Sequence, residues 1–311
     1  MPRPPSLPSR FPPGLRDLFF FNSRWHELRR DGGSALRMHF VDEGESDAPP
    51  VVCVHGNPTW SFIWRGLIRR LRDDCRVIAP DHIGMGWSDK PAKGFSYRLA
   101  DHIANLESLI ASLGLKDITL VVHDWGGPIG LGYAVRHPEN VRRIVITNTA
   151  AFRSSRLPLR IAVCRWPVFG AIAVRGFNAF ARAAITQATE QKGGLPRDVA
   201  QGLLQPYDSW ANRIGVHRFV QDIPRNERHP SWPALMEIEG GLERLAKLPM
   251  MFAWGMKDWC FAPDPFLDEF VRRFPDASGG VQRYEAAGHY LMEDAAAQFE
   301  DDVARFVAGQ P

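Results

Sequence analysis

The sequence predicts an α/β fold, a mostly parallel eight-stranded sheet flanked by helices, with a helical cap inserted in its middle. Three observations carry that prediction. Short continuous apolar runs, as buried parallel strands require, alternate with stretches of helical spacing. One of those runs ends in a sharp turn with paired glycines that opens a helix. The alternation lapses between about residues 151 and 228 and then resumes.

Residues 1–14 are rich in proline with scattered arginine and lack the apolar centre of a signal peptide. They read as an extended arm, laid along the surface or partly disordered. Strands are expected at Trp25–Arg29 and at Leu36–Val41, the second alternating apolar and polar residues before a turn at Asp42-Glu43-Gly44. Val51–Val54 is a buried parallel strand, followed by a helix over Phe62–Leu71 and a short strand at Arg76–Ala79 that Pro80 ends. Leu99–Leu113 has helical spacing and stops at Gly114. Ile118–Val122 is a strand that turns sharply at His123–Gly127 into a helix reaching about Arg136, and Val141–Asn148 is the next strand. Met250–Trp254 and Val281–Glu285 are the last two. Residues 15–150 and 229–311 are thus expected to form the core, with 151–228 as the cap.

Composition narrows the function. A chain of 311 residues holds a large core without disulfides or structural metals. A net charge of +3 is too small to argue for nucleic acid. Cys53, Cys75, Cys164 and Cys260 form no C-x-x-C pair and no cluster with histidine, so neither zinc nor any other metal is implied. Cys53 sits in an apolar strand as a small buried hydrophobe. A reduced, cytoplasmic setting is the expectation. No apolar stretch approaches the ~20 residues of a membrane span.

The motif that carries chemistry is Val122-His123-Asp124-Trp125-Gly126-Gly127. A strand enters and a helix leaves, which is the setting of the nucleophile elbow, whose serine form is G-x-S-x-G. The central side chain stands above the sheet at a helix N-terminus, where backbone N–H groups favour an anion. Here that residue is Asp124. An aspartate there also suits a plain helix cap, so its companions decide. Gly288-His289-Tyr290 follows the final strand, in the chain order nucleophile, acid, histidine. Asp258 ends Trp254-Gly255-Met256-Lys257-Asp258, just past a strand end where open α/β sheets bind ligands. His55-Gly56-Asn57-Pro58 follows an early strand and brings a backbone N–H and the Asn57 amide toward the same crevice. Asp81, His82 and Asp89 share a loop, but the Gly84 and Gly86 spacing reads as a structural turn. Those glycines do not follow G-x-G-x-x-G, so no dinucleotide cofactor is expected.

His55-Gly56-Asn57-Pro58-Thr59-Trp60, Asp81 to Asp89, His123-Asp124-Trp125-Gly126-Gly127 and Trp254 to Asp258 together resemble the haloalkane dehalogenase family of the α/β-hydrolase superfamily. The resemblance runs from about Trp25 onward. It implies that Asp124 attacks a saturated carbon and leaves an alkyl-enzyme ester. Water activated by His289, with Asp258 orienting the imidazole, would then release alcohol. Asn57 and Trp125 would hold the oxyanion through backbone N–H groups, and chloride or bromide through the amide and indole N–H. Small apolar substrate and water are the expected ligands.

A neighbouring reading rests on Gln205 to Ile214 and Asn148 to Phe152, which are similar to the β-lactone decarboxylases of bacterial long-chain olefin synthesis. The same aspartate would open a cis-dialkyl β-lactone. Epoxide hydrolases share the elbow but need cap tyrosines, and only Tyr207 is an obvious candidate. Gly126-Gly127-Pro128 lacks the arginines that hold small charged acids in fluoroacetate dehalogenases. A non-catalytic hydrolase-like binding protein is the remaining alternative.

Phe152 to Thr189 carries Arg153, Arg156, Arg160, Arg165, Arg175 and Arg182 among apolar residues and no acid. It reads as cap helices over an apolar pocket, or as a surface for a partner enzyme, a second copy of the chain or an anionic membrane.

Overall fold

The computed structural model describes residues 13–29, 34–277 and 279–310. Of the proline-rich arm expected at 1–14, residues 1–12 lie outside the described residues. Eight strands form one sheet: β1 (Ser23–Leu28), β2 (Leu36–Glu43), β3 (Pro50–Val54), β4 (Arg76–Pro80), β5 (Ile118–His123), β6 (Val141–Thr147), β7 (Met250–Gly255) and β8 (Val281–Tyr284). Their order is β1-β2-β4-β3-β5-β6-β7-β8. β2 pairs antiparallel with β1 and β4, and every later pairing is parallel.

The apolar runs of β3 and β5–β7 are continuous because both faces are covered. Val52, Val54, Leu120, Val122, Ile144 and Ile146 feed one core cluster, while Val51, Cys53, Val121 and Val145 feed the other. This is the period-two alternation of a strand packed on both sides.

The helices are α1 (Pro13–Arg16), α2 (Arg65–Leu71), α3 (Leu99–Ser112), α4 (Gly126–Arg136), α5 (Leu159–Cys164), α6 (Pro167–Gly170), α7 (Ala179–Gln187), α8 (Arg197–Leu204), α9 (Ile214–Gln221), α10 (Trp232–Gly241), α11 (Asp268–Arg273), α12 (Leu291–Asp294) and α13 (Ala296–Val307). α3, α4, α10 and α11 cover one face through Ile103, Leu131, Ile238 and Phe270. α2 and α13 cover the other through Leu67, Ile68, Phe299 and Val303. Helices α5–α9 lie between β6 and β7 in the chain, as the lapse in alternation predicts. Among the described residues no single helix is long and apolar enough to cross a membrane.

Two local expectations are corrected. Asp42 and Glu43 were expected in a turn but continue β2. Asp42 is tied to Arg24 and Arg76, and Glu43 accepts from the Asn22 backbone N–H, so the strand end carries acids with partners. The helix expected from Phe62 opens as a tighter 3₁₀ turn over Ser61–Trp64 before α2 begins.

Candidate active site

β5 delivers Asp124 to the carboxyl edge of the sheet, one residue beyond its last hydrogen-bonded position. Asp124 sits at φ +51°, in the left-handed region that few side chains other than asparagine and aspartate occupy readily. The bend is held from both sides: the Asp124 N–H donates to the Asn148 carbonyl at 3.2 Å, and its carbonyl accepts from Gly127 N–H at 2.9 Å. Two glycines make room. A Cβ on Gly126 would stand 2.0 Å from the Val54 carbonyl oxygen, and one on Gly56 would stand 2.2 Å from the Asp124 carboxylate. Close approach of β3, the elbow and the early loop therefore excludes larger residues at both positions.

The carboxylate of Asp124 is buried. Its Oδ1 accepts from the Asn57 backbone N–H at 2.6 Å, and the Trp125 backbone N–H is a second donor to the carboxylate. Its Oδ2 lies 3.9 Å from His289 Nε2. Burial pushes its pKa above the usual carboxylate range, against the pull of His289 and of the two N–H groups.

His289 Nδ1 donates to Asp258 Oδ2 at 2.8 Å. Burial lowers the imidazole pKa, but the charge and hydrogen bond of Asp258 and the nearby Asp124 outweigh it, so the net shift is upward. Asp258 is saturated with donors. Its Oδ1 accepts from Cys260 N–H at 2.6 Å and Phe261 N–H at 3.1 Å. Its Oδ2 also accepts from the Asn148 side chain at 2.8 Å. Four donors fix the direction of the acid.

Asp124, His289 and Asp258 thus form one connected line, as expected from their order in the chain. Two residues given no role by sequence reasoning complete it. Asn148, at the end of β6, donates to Asp258 and also clasps the backbone of Gly255, accepting from its N–H at 2.9 Å. It ties the elbow, the acid and β7 into one unit. His123 donates from Nε2 to the His289 carbonyl at 2.9 Å and pins the histidine loop to β5. Burial first, then the adjacent His289, push its pKa well below the ordinary value and keep it neutral.

Asn57 and Trp125 face the same space with different freedom. The Asn57 amide already donates to the Val216 carbonyl of α9 at 3.2 Å, which leaves one of its two amide hydrogens. The Trp125 indole stands edge-on to Phe219 with centroids 5.2 Å apart. No acceptor among the described residues meets the indole N–H. Tyr207, the one cap tyrosine considered for epoxide chemistry, donates instead to the Thr59 carbonyl at 3.2 Å and is not in the cavity wall. The Asp81 loop is a structural knot, with Ser61 N–H, Trp87 N–H and His39 all donating to Asp81.

Above the line opens a cavity of about 860 Å³. Asn57, Asp124, Trp125 and His289 lie in its wall with apolar residues such as Phe152, Ile161, Phe180 and Phe266. Among the described residues, Asp124 is its one carboxylate. Ligand pockets commonly span ~300–1,000 Å³, so this one is large for a small apolar molecule.

A carboxylate on a strained strand–helix turn, a histidine–acid pair and a covering of helices define the α/β-hydrolase class. Comparison with known proteins agrees. The family profile described as alpha/beta hydrolase fold matches residues 49–296. A cis-3-alkyl-4-alkyloxetan-2-one decarboxylase of Shewanella oneidensis is 41% identical over 287 residues, spanning 91% of this chain and 87% of that protein. Haloalkane dehalogenase 2 of Mycobacterium tuberculosis is 32% identical over 282 residues, 89% of this chain and 92% of that one. The crystal structure of a haloalkane dehalogenase from Bradyrhizobium elkani superposes with a TM-score of 0.81 at 26% identity, over 93% of this chain and 98% of that one. The chain belongs to the haloalkane dehalogenase family of α/β hydrolases, on the side that borders the oxetanone decarboxylases.

Proposed function

We propose that the chain is a cis-3-alkyl-4-alkyloxetan-2-one decarboxylase, with Asp124 as its nucleophile. On sequence alone, haloalkane dehalogenation stands first and this reaction second. The observation that reverses the order is identity of 41% to the decarboxylases against 31–33% to the dehalogenases, over comparable spans. The size of the cavity supports it, since two alkyl arms need more apolar volume than a short haloalkane.

The two reactions share a first step. A carboxylate displaces an anion from a saturated carbon, and the anion is either halide or the ring carboxylate of the lactone. In the lactone case an oxygen of Asp124 attacks C4 and the C4–O1 bond breaks. That leaves an ester at C4 and a carboxylate on C3. The bond from C3 to the carboxylate carbon then supplies the electrons of the new C3–C4 double bond, and the Asp124 ester leaves as carboxylate. Carbon dioxide and an alkene result. No water, proton or redox partner is consumed. The free indole N–H of Trp125 and the remaining amide hydrogen of Asn57 meet the displaced oxygen. Asn57 and Trp125 backbone N–H groups hold the attacking carboxylate in place.

Dehalogenation remains the second reading, favoured by the same unpartnered indole N–H, which suits a halide. Incubation with a cis-dialkyl oxetanone and, separately, with a haloalkane panel tests the choice. Alkene formation with multiple turnover, and halide release slower by orders of magnitude, is the expected result. Rapid halide release without alkene would overturn it. Single turnover in ¹⁸O-water sharpens the answer: ester hydrolysis labels Asp124, whereas decarboxylation leaves it unlabelled.

A further inference from the structure

Most large apolar side chains that the fold leaves exposed lie in one stretch of the insertion. Leu159, Trp166, Val168, Phe169, Ile172, Phe177 and Trp210 are all about half exposed or more, and Phe20 is the one outside it among the described residues. They are neighbours in space as well as in sequence. Trp166 and Phe169 have ring centroids 6.2 Å apart. Val168 and Ile172 are one helical turn apart along α6 and the π-helical turn Ala171–Gly176 that continues it. A Cβ on Gly176 would touch both Ile172 and Trp210. The helices bend by 68° between Gly176 and Ala179, where Asn178 takes a left-handed conformation, and this corner carries Phe177, 72% exposed.

The charge around this patch is mostly positive, with Asp208 beside Arg213 and Asp222 near Arg165 as its acids. Six arginines and no acid lie from Phe152 to Thr189. Several stand beside one another: Arg165 feels Arg225, Arg175 feels Arg218, and Arg213 feels Arg182. A second depression, of about 620 Å³, is walled by Trp166, Arg165 and Arg218 at the rim of the patch. The mouth of the main cavity belongs to the same surface. Its exposed wall residues include Arg156, Arg160, Phe169 and Arg225.

We propose that this face of the insertion docks on an anionic lipid bilayer, with the cavity mouth against the membrane. Protruding aromatic and aliphatic side chains enter the headgroup boundary, and the guanidinium groups meet lipid phosphates. The bent helices fit a segment that lies in the interface and does not cross it. Phe169, shared by patch and cavity wall, lets an apolar ligand pass between bilayer and site with little exposure to water. A lipid surface explains together what a protein partner explains only in part, namely the protruding apolar residues, the excess of arginine over acid and the apolar cavity opening among them.

Co-sedimentation of the full chain with vesicles tests the proposal. Phosphatidylcholine vesicles containing phosphatidylglycerol should pull the chain down at low salt, pure phosphatidylcholine vesicles far less, and added salt should release it. Val168→Ser with Phe177→Ser, and separately Arg182→Glu, should each lower partitioning about tenfold. None of these residues lines the cavity, so turnover of a short, water-soluble substrate should stay unchanged in every variant. A wild-type chain that stays in the supernatant with both vesicles would overturn the proposal. So would variants that sediment like wild type, or a patch that drives self-association while vesicles are ignored.

Discussion

The molecule holds two buried histidine–aspartate pairs with the same geometry and different roles. His39 Nδ1 lies 2.8 Å from Asp81 at the β1–β2 edge of the sheet, and His289 Nδ1 lies 2.8 Å from Asp258 at its carboxyl end. The difference is in what each pair has left over. The second nitrogen of His39 contacts the Ser23 hydroxyl at 3.0 Å, and neither His39 nor Asp81 shows any surface. The second nitrogen of His289 faces Asp124 and a cavity, and both residues keep 6–7% exposure. A pair with no free face serves folding. A pair with one nitrogen turned toward an anion and a void serves chemistry.

Removing the carboxylate that His289 faces, and separately the one that His39 holds, should separate those roles most sharply. Asp124→Asn, with mass spectrometry showing that the amide persists, should cut turnover by about 10⁴-fold or more. It should not lower stability. The folded state raises the pKa of Asp124, so this group favours folding only while protonated, and the charged form at neutral pH opposes it. The neutral amide should therefore melt at the same temperature or higher. Asp81→Asn should do the reverse, costing about 3–5 kcal/mol of stability while leaving kcat close to wild type. The pKa of Asp81 is lowered: burial raises it, but His39, His55 and the Ser61 N–H outweigh burial. Its contribution is thus present above the unfolded value, near pH ~4, and is lost as pH falls through the folded one. The acid-unfolding curve of the variant should lack that component. Equal effects of the two substitutions on turnover would dissolve the distinction.

His289→Phe sharpens the contrast within the site. With a haloalkane the alkyl ester on Asp124 should accumulate, visible as added protein mass, because the general-base step is worth ~10²–10⁴-fold. With an oxetanone the second step uses no water, so a larger share of turnover should survive. The pH profiles should diverge for the same reason. Water activation requires neutral imidazole, and the pKa of His289 is raised, so haloalkane turnover should be lost as pH falls through a value above 6.5. Oxetanone turnover should be lost at the titration of Asp124, itself raised above 3.8. A shared acid limb in kcat would mean that both substrates need the free base.

Much of this is legible in the sequence. The elbow could be read because a strand, an acid and two glycines are contiguous, and steric demands at Gly126 act on neighbours in sequence. Asp258 and His289 could be placed because each follows a strand end. Asn148 could not. Its side chain reaches β7, more than a hundred residues away, and nothing local marks an asparagine at a strand end as a clasp. The hydrogen bond from Asn57 to α9 and the inward turn of Tyr207 are likewise products of how the insertion sits, which the sequence pattern does not encode. Asn148→Ala should loosen the acid without removing it, since Cys260 and Phe261 still donate to Asp258. Kcat should fall by up to about a hundredfold through misplacement, with KM little changed. An unchanged kcat would make Asn148 a fold residue alone.

The smallest expected effect lies at the other pair. Ser23→Ala removes the hydroxyl beside His39 Nε2 and leaves Asp81 with its other donors. A single neutral hydrogen bond contributes about 0.5–1.5 kcal/mol net, so denaturant unfolding should shift by that amount and no more. Turnover of either substrate should be unaffected, because no part of this pair reaches the cavity wall. If Ser23→Ala instead slowed turnover with stability intact, the β1–β2 edge would be coupled to the site, and a filled second nitrogen would no longer mark a histidine–aspartate pair as structural.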